Sequence, residues 1–137
     1  MVSPTSTATQ ATSMTGLVDK HRETLEWLSC SVLWKRELGF FQKVLDNNAP
    51  KFSELEDKMR IDHFQNLLLY YNGEVVDALR KKLRNHEHKL AELVQHPLET
   101  QTEYFKEHLS LMDEAASFNK AYNQYKDEFL QFVERVM

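Results

Sequence analysis

The feature that most constrains this chain is a long apolar stripe near its C-terminus, in which side chains recur at alternating spacings of four and three residues. An α-helix turns once per about 3.6 residues, so this spacing gathers the side chains on one face of a single long helix. Such a stripe leaves water along its whole length only by packing against other long helices. The stripe consists of Tyr104, His108, Leu111, Ala115, Phe118, Tyr122, Tyr125, Phe129, Phe132 and Val136.

The composition also favours long, uninterrupted helices. The chain has three glycines and three prolines in 137 residues, whereas glycine and proline together make up roughly 12 % of an average protein. With so little turn-forming material, the chain is expected to be all-α. Its length is that of one domain, and a hydrophobic content of 42 % is enough for one core.

Hydrophobic periodicity divides the chain into three predicted helices, at 16–47, 51–95 and 99–136. Residues 1–15 are rich in serine and threonine and have few apolar side chains, so they are expected to form a disordered tail before a single domain at 16–137. Because the predicted connections are short, the expected architecture is an up-down-up antiparallel bundle of three long helices.

The second predicted helix contains Gly73, and a glycine inside a helix costs about 1 kcal/mol relative to alanine. The apolar spacing nevertheless continues through it, from Phe64 to Leu79. One long helix with a kink is therefore predicted, and four helices with a break at Gly73 are the alternative. Ser53 and Glu56 match a capping box, which predicts that regular helix begins there.

Charge and composition disfavour several classes of function. A formal net charge of −4 gives no reason to expect a basic surface for nucleic acid or anionic lipid, so neither is an expected partner. No segment approaches the roughly 18 consecutive apolar residues of a membrane span, and residues 1–16 contain no signal-peptide core. Cys30 is the single cysteine and cannot form an intramolecular disulfide. A cytoplasmic protein is therefore expected.

Motifs of catalysis are missing from the sequence. It contains neither a Gly-x-Ser-x-Gly nucleophile motif nor a phosphate-binding loop, and its few glycines leave little scope for close backbone contact with a substrate. The protein is therefore expected not to be an enzyme, with no catalytic residues and no cofactor. The expected function is that of a small helical scaffold or protein-interaction module.

The basic run at 80–89 has a structural explanation. In an antiparallel hairpin centred near residue 97, residues of the second and third helices lie at one level when their numbers sum to about 194. Acidic side chains then lie opposite the basic run, and ion pairs between the two helices are expected rather than an anion site. These acids are Glu103, Glu107, Asp113 and Glu114.

The same rule places two histidines side by side. His86 belongs to the apolar stripe of the second helix and His108 to that of the third. Two imidazoles at one level could hydrogen-bond to each other, bind a metal, or titrate as a pair near neutral pH. Burial is expected to disfavour their protonation.

Parts of the sequence resemble the hemerythrin-like helical proteins. The resemblance rests on His21 in Asp-Lys-His-Arg, on the His-x3-Glu spacing of His88 and Glu92, and on the His-x4-Asp spacing of His108 and Asp113. The His-x3-His element of that family does not occur here. The resemblance implies an alternative function, a metal-binding helical bundle for sensing or storage. Its candidate ligands are His86, His88, Glu92, His108 and Asp113.

Two further surfaces are candidates for contact with a partner. By the level rule, the first helix is too short to reach residues 83–110, which would form a two-helix tip with poorly covered leucines. A homodimer through this tip, or contact with another helical protein, is expected. Its candidate interface residues are Leu83, Leu90, Leu93, Leu98 and Leu111.

The first helix is apolar on two adjoining faces. One carries Leu33 and Phe40, and the other carries Trp34 and Leu38. A helix that packs between two neighbours needs such a wide apolar face, so core packing is the expected explanation. A surface for self-association is the alternative.

Overall fold

Every element in the described part of the chain is helical. The computed structural model describes residues 4–95 and 101–137, with side chains from Gly16 onward. No strand occurs among these residues, so the predicted all-α class is confirmed. The elements are helix α1 at Pro4–Asn48, a 3₁₀ turn at Ala49–Lys51, helix α2 at Leu55–Tyr70, a π-helical turn at Tyr71–Val75, helix α3 at Val76–Gln95 and helix α4 at Gln101–Glu134.

Helix boundaries differ from the predictions mainly at the N-terminal ends. Helix α1 begins at Pro4, within the segment predicted as a disordered tail. The side chains of residues 4–15 lie outside the described ones, and the tail stays a prediction. The capping-box prediction is wrong, because α2 begins later, at Leu55. Its N-cap is Glu54, which has an extended backbone and makes no side-chain capping bond.

The segment around Gly73 is neither a regular α-helix nor a loop. It forms the π turn, in which the Val76 N–H donates to the Tyr71 carbonyl five residues back. Flanking residues keep right-handed helical backbone angles, so the wider turn joins α2 to α3. A π turn fits one extra residue into the helix. The buried positions shift accordingly: a strict four-three repeat from Leu68 would bury residues 75, 78 and 82, whereas the buried residues are Val76, Leu79 and Leu83.

A neighbouring helix supports the π turn. Where α-helical spacing resumes, the wider turn leaves a carbonyl without its usual N–H donor. The Lys35 ammonium of α1 donates to the Asn72 carbonyl at 2.7 Å and also pairs with Asp77 at 3.1 Å. The side chain of Lys35 thus provides a hydrogen-bond donor for a main-chain carbonyl of the π turn.

The stripe of α4 is the spine of the core. All of its predicted members from Tyr104 to Phe132 are buried, Val136 is half-buried, and Val133 is an additional buried residue. Aromatic rings fill the core along the C-terminal part of α4. Phe64 lies edge-on to Tyr125 at 5.7 Å between ring centroids, and Phe52 stacks on Phe132 at 4.3 Å between ring centroids. The predicted stripe is therefore confirmed as the buried face.

Polar pairs define which levels of the helices meet. Between α1 and the segment formed by α2 and α3, His21 pairs with Glu87 and Gln42 bonds to Gln65. Along this contact the residue numbers of α1 therefore increase while those of the α2–α3 segment decrease. Between α1 and α4 the numbers rise together. Glu23 meets His108 near the start of α4, and Glu37 meets Tyr122 further along.

The predicted exposure of the tip leucines is wrong. Leu83, Leu90, Leu93 and Leu111 are all buried within the chain. The reason is the level at which α1 packs. His21 lies opposite Glu87, so the start of the predicted first helix reaches further along α3 than the level rule indicated, and Leu17 packs against a small cluster of Leu90, Leu93 and Tyr104. A third helix therefore covers this level. Leu98 lies outside the described residues, and homodimer formation itself stays a prediction.

Candidate functional site

The two seam histidines are the most unusual residues of the core. His86 lies on α3 between Leu83 and Leu90, and His108 lies on α4 four residues after Tyr104. Both side chains occupy positions that the stripe otherwise fills with apolar groups, with 0 % and 2 % of their surface exposed. A buried polar group without a hydrogen bond costs about 1–3 kcal/mol, so the partners of these rings decide what the site can do.

Their ring nitrogens form a continuous line of hydrogen bonds. Nε2 of His86 lies 2.9 Å from Nδ1 of His108, which confirms that the two rings are close enough to bond to each other. Nδ1 of His86 lies 2.8 Å from Oε1 of Glu107. At the other end, Nε2 of His108 lies 2.7 Å from Oε2 of Glu23 on α1. The line therefore connects three helices, and each imidazole has one carboxylate.

A tyrosine covers one face of the pair. The Tyr104 ring stacks on the His86 ring at 4.3 Å between centroids, with the planes 2° apart. Burial, with the nearby carboxylates of Glu87, Glu107 and Glu23, raises the pKa of Tyr104 to about 12. Its hydroxyl is therefore neutral at physiological pH. Tyr104 acts here as a flat apolar wall that keeps water from the rings.

The basic run forms the ion pairs expected between α3 and α4. Lys82 pairs with Glu114 at 2.8 Å, and Lys89 pairs with Glu107. Glu103 and Asp113, the two other acids predicted to take part, are not among the ion-pair partners of the described residues. Two of the expected ion pairs between α3 and α4 are thus confirmed.

Glu107 is held from two sides. Burial acts to raise its pKa, but the Lys89 ammonium and the bond to His86 outweigh burial, so the pKa of Glu107 is lowered. This carboxylate is therefore ionised at neutral pH and provides a fixed acceptor for His86.

Burial dominates at His86. Removal of the ring from water lowers the pKa of His86, and the hydrogen bond to Glu107 offsets this only in part. The charge of His108 when protonated adds to the lowering. His86 is therefore neutral at neutral pH and takes up a proton only under more acidic conditions than an ordinary histidine.

The predicted metal ligands are not brought together. His88, Glu92 and Asp113 are exposed, and none of them is a hydrogen-bond partner of the buried pair in the described residues. Among residues 4–95 and 101–137, no three His, Cys, Asp or Glu side chains converge as a metal ion would require. The structure assigns His86 and His108 to hydrogen bonding, with every polar ring contact occupied by protein.

Sequence reasoning missed two members of the site. Glu23 was not predicted, because its contact depends on how α1 lies against α4, and the two residues are 85 positions apart. Tyr104 was predicted as a stripe residue but not as the wall of a histidine site. Its position four residues before His108, one turn away on the same face, was the available signal.

The chain matches no protein-family model, no curated protein and no solved structure. In the part of the chain that the structure describes, none of the helices combines the length and the apolar character needed to cross a lipid bilayer.

Proposed function

We propose that this chain is an up-down-up antiparallel bundle of three long helices that serves as a non-enzymatic protein-interaction module. The opposed numbering of contacts between α1 and the α2–α3 segment supports the antiparallel arrangement. The contact of Asp57, near the start of α2, with Arg135, just after the end of α4, supports it as well. In the same arrangement the first and last helices run in the same direction, so the numbers of contacting residues in α1 and α4 increase together. A rigid bundle of this kind presents helix faces to a partner.

The observation that carries this proposal is the outward face of α1. Its apolar side chains form two adjoining series with seven-residue spacing, about two turns of helix, one from Val18 to Val32 and one from Leu33 to Phe40, and so lie on one side. They are largely exposed, which contradicts the expectation that both apolar faces of this helix serve the core. An apolar face of this length marks an interaction surface. The exposed residues are Val18, Leu25, Val32, Leu33 and Phe40.

The same face carries positive charge. Arg36 and Lys43 are exposed, and in the described part of the chain neither is paired with a carboxylate. Apolar residues between such cations suit a helix that presents apolar and acidic side chains. We propose that the chain binds a helical protein through this face. A second copy of the chain is the first partner to test, because its α1, packed antiparallel, would bring the exposed acid Glu26 towards Arg36 and Lys43.

Sedimentation velocity from about 1 μM to about 1 mM tests self-association. We expect a dimer whose population falls strongly when Leu33 and Phe40 are both replaced by serine. Leu109→Ser is the control, because Leu109 is 70 % exposed on α4, away from this face. Equal behaviour of the wild type and the double variant at every concentration would refute self-association through α1.

We place the protein in the cytoplasm, which is supported by a single cysteine without a disulfide partner in the chain. Neither nucleic acid nor membrane is proposed as a partner. No catalytic role is assigned to the buried histidines, because their rings are closed off from solvent.

Metal content separates this proposal from the alternative of a histidine–carboxylate metal-binding bundle. Elemental analysis of protein purified without a histidine tag should give far less than one metal ion per chain. A stoichiometric transition metal would refute the proposed interaction module and support the metal-binding bundle.

A further inference from the structure

The line from Glu107 through His86 and His108 to Glu23 contains three hydrogen bonds. Each bond requires one proton between its two heavy atoms. Two neutral imidazoles carry one N–H each and ionised carboxylates carry none, so the neutral line has only two protons. One of the three contacts must then be lost, because otherwise two lone pairs would face each other at less than 3 Å.

The central bond is the least able to open. Both rings are buried in the apolar seam, and a water molecule could reach the space between them only if the helices separated. The contact with Glu107 is also held firmly, since Lys89 binds the second oxygen of that carboxylate. Nδ1 of His86 has no other partner among the described residues and therefore keeps its proton directed at Glu107.

Glu23 is the free end of the line. Its side chain is 44 % exposed, and His108 is its one hydrogen-bond partner in the described part of the chain. It can therefore turn into water when His108 has no proton to offer. In the neutral state His86 donates from Nδ1 to Glu107, His108 donates from Nδ1 to His86, and Nε2 of His108 is unprotonated.

We propose that the His86–His108 pair is a proton-operated link, in which uptake of one proton from solvent completes the bond between His108 and Glu23 and fastens α1 to the α3–α4 pair. The proton enters at Nε2 of His108, and no other bond forms or breaks. The charge of the four groups together changes from minus two to minus one. Release of the proton frees Glu23.

Charged and titratable groups of all three helices surround the pair. Acids favour the added proton, whereas the ammonium of Lys89 and the burial of the rings oppose it. The groups are Glu23, Lys20 and His21 on α1, Lys82, Glu87 and Lys89 on α3, and Tyr104, Glu107 and Glu114 on α4.

Nitrogen-15 NMR of the histidine rings in the full chain tests the link. Between about pH 8 and about pH 4.5 the pair should take up one proton. At pH 8 both rings should be neutral with their protons on Nδ1. A proton on Nε2 of His108 at pH 8, or two rings that titrate independently at about 6.5, would overturn the proposal.

The variant Glu23→Gln sharpens the test. Its carboxamide can donate an N–H to the unprotonated Nε2 of His108 and so complete the third bond without an extra proton. We expect the midpoint of proton uptake to fall by about one pH unit.

Glu26→Gln is the matched control, since it makes the same charge change at an exposed position of the same helix. The midpoint in this control should stay within about 0.2 pH unit of the wild type. Equal shifts in the two glutamine variants would show that only net charge matters, and would also overturn the proposal. The outcome does not depend on whether the outer face of α1 binds a partner.

Discussion

His86 shows how one residue can fit a stripe by shape and depart from it in polarity. An imidazole fills a core position about as well as a branched aliphatic side chain, but each of its ring nitrogens needs a partner. Glu107 and His108 supply those partners. Each of these residues therefore depends on the others for its hydrogen bonds, and loss of one of them would leave a buried polar group unpaired.

Replacement of both His86 and His108 by leucine is expected to raise stability more at pH 5 than at pH 8. Because burial lowers the folded pKa of His86, the unfolded chain binds the proton more readily. Wild-type stability is therefore lost as the pH falls through about 6.5 toward the folded value, and changes little above it. The leucines remove this titration. Denaturant unfolding at the two pH values measures the difference.

His88→Leu is the control for this experiment, because His88 is exposed on α3 two residues from the buried pair. It should change stability by less than about 0.5 kcal/mol at either pH. An equal gain at pH 5 and pH 8 in the double variant would contradict the assignment of a titrating, buried pair.

At the scale of single elements, α4 was the easiest to predict. Its stripe is regular, so spacing alone identified the buried face from Tyr104 to Phe132. The π turn could not be predicted in the same way. Tyr71 and Val75 fit an unbroken four-three pattern, and both are half-buried. In the sequence the extra residue leaves only successive steps of four, from Val75 to Leu79 and from Leu79 to Leu83, whereas in the structure full burial moves one position on, to Val76.

Gly39 and Gly73 provide a direct test of what the π turn requires. Neither has a positive φ angle, and an added Cβ would meet no atom within 4 Å at either position. Alanine should therefore stabilise the chain by about 1 kcal/mol at each site, through its better helix propensity. Thermal or denaturant unfolding of the two variants measures this.

Gly39→Ala serves as the reference, since Gly39 lies within regular α-helix. If Gly39→Ala raised the stability and Gly73→Ala lowered it, the π turn would depend on glycine, contrary to the geometry described above.

At the scale of the whole molecule, the relation of α1 to the other helices was the part that sequence could not supply. The level rule correctly paired His86 with His108, because a short connection sets the register of adjacent helices. It has no equivalent for α1 and α4, whose contacts such as Glu37 with Tyr122 span most of the chain. The level at which α1 packs against α3 was also predicted wrongly, since His21 lies opposite Glu87, and the cover of Leu17 over Leu90 and Leu93 was missed for that reason.

Two truncations test how α1 contributes to the bundle. Removal of residues 1–15 should leave the thermal midpoint within a few degrees, since the described packing of α1 begins at Leu17. Removal of residues 1–24 should lower it by roughly 10 °C, because uncovering Leu90 and Leu93 costs about 3 kcal/mol or more.

Circular dichroism melts give both midpoints. Similar thermal midpoints for the two truncated proteins would show that α1 does not cover Leu90 and Leu93.

The placement of the tryptophans has a practical consequence for optical work. Trp27 and Trp34 are neighbours on α1, with ring centroids 5.9 Å apart, and Trp34 also touches Phe118 at 4.8 Å. Along α4, Phe118 is about 15 Å from His108. Intrinsic fluorescence therefore reports mainly the middle of the molecule. Trp27 lies four residues, about 6 Å along the helix, from Glu23, but neither tryptophan reaches the level of Leu90 and Leu93, where Leu17 packs. A label or ring-specific spectroscopy is needed to see that end move.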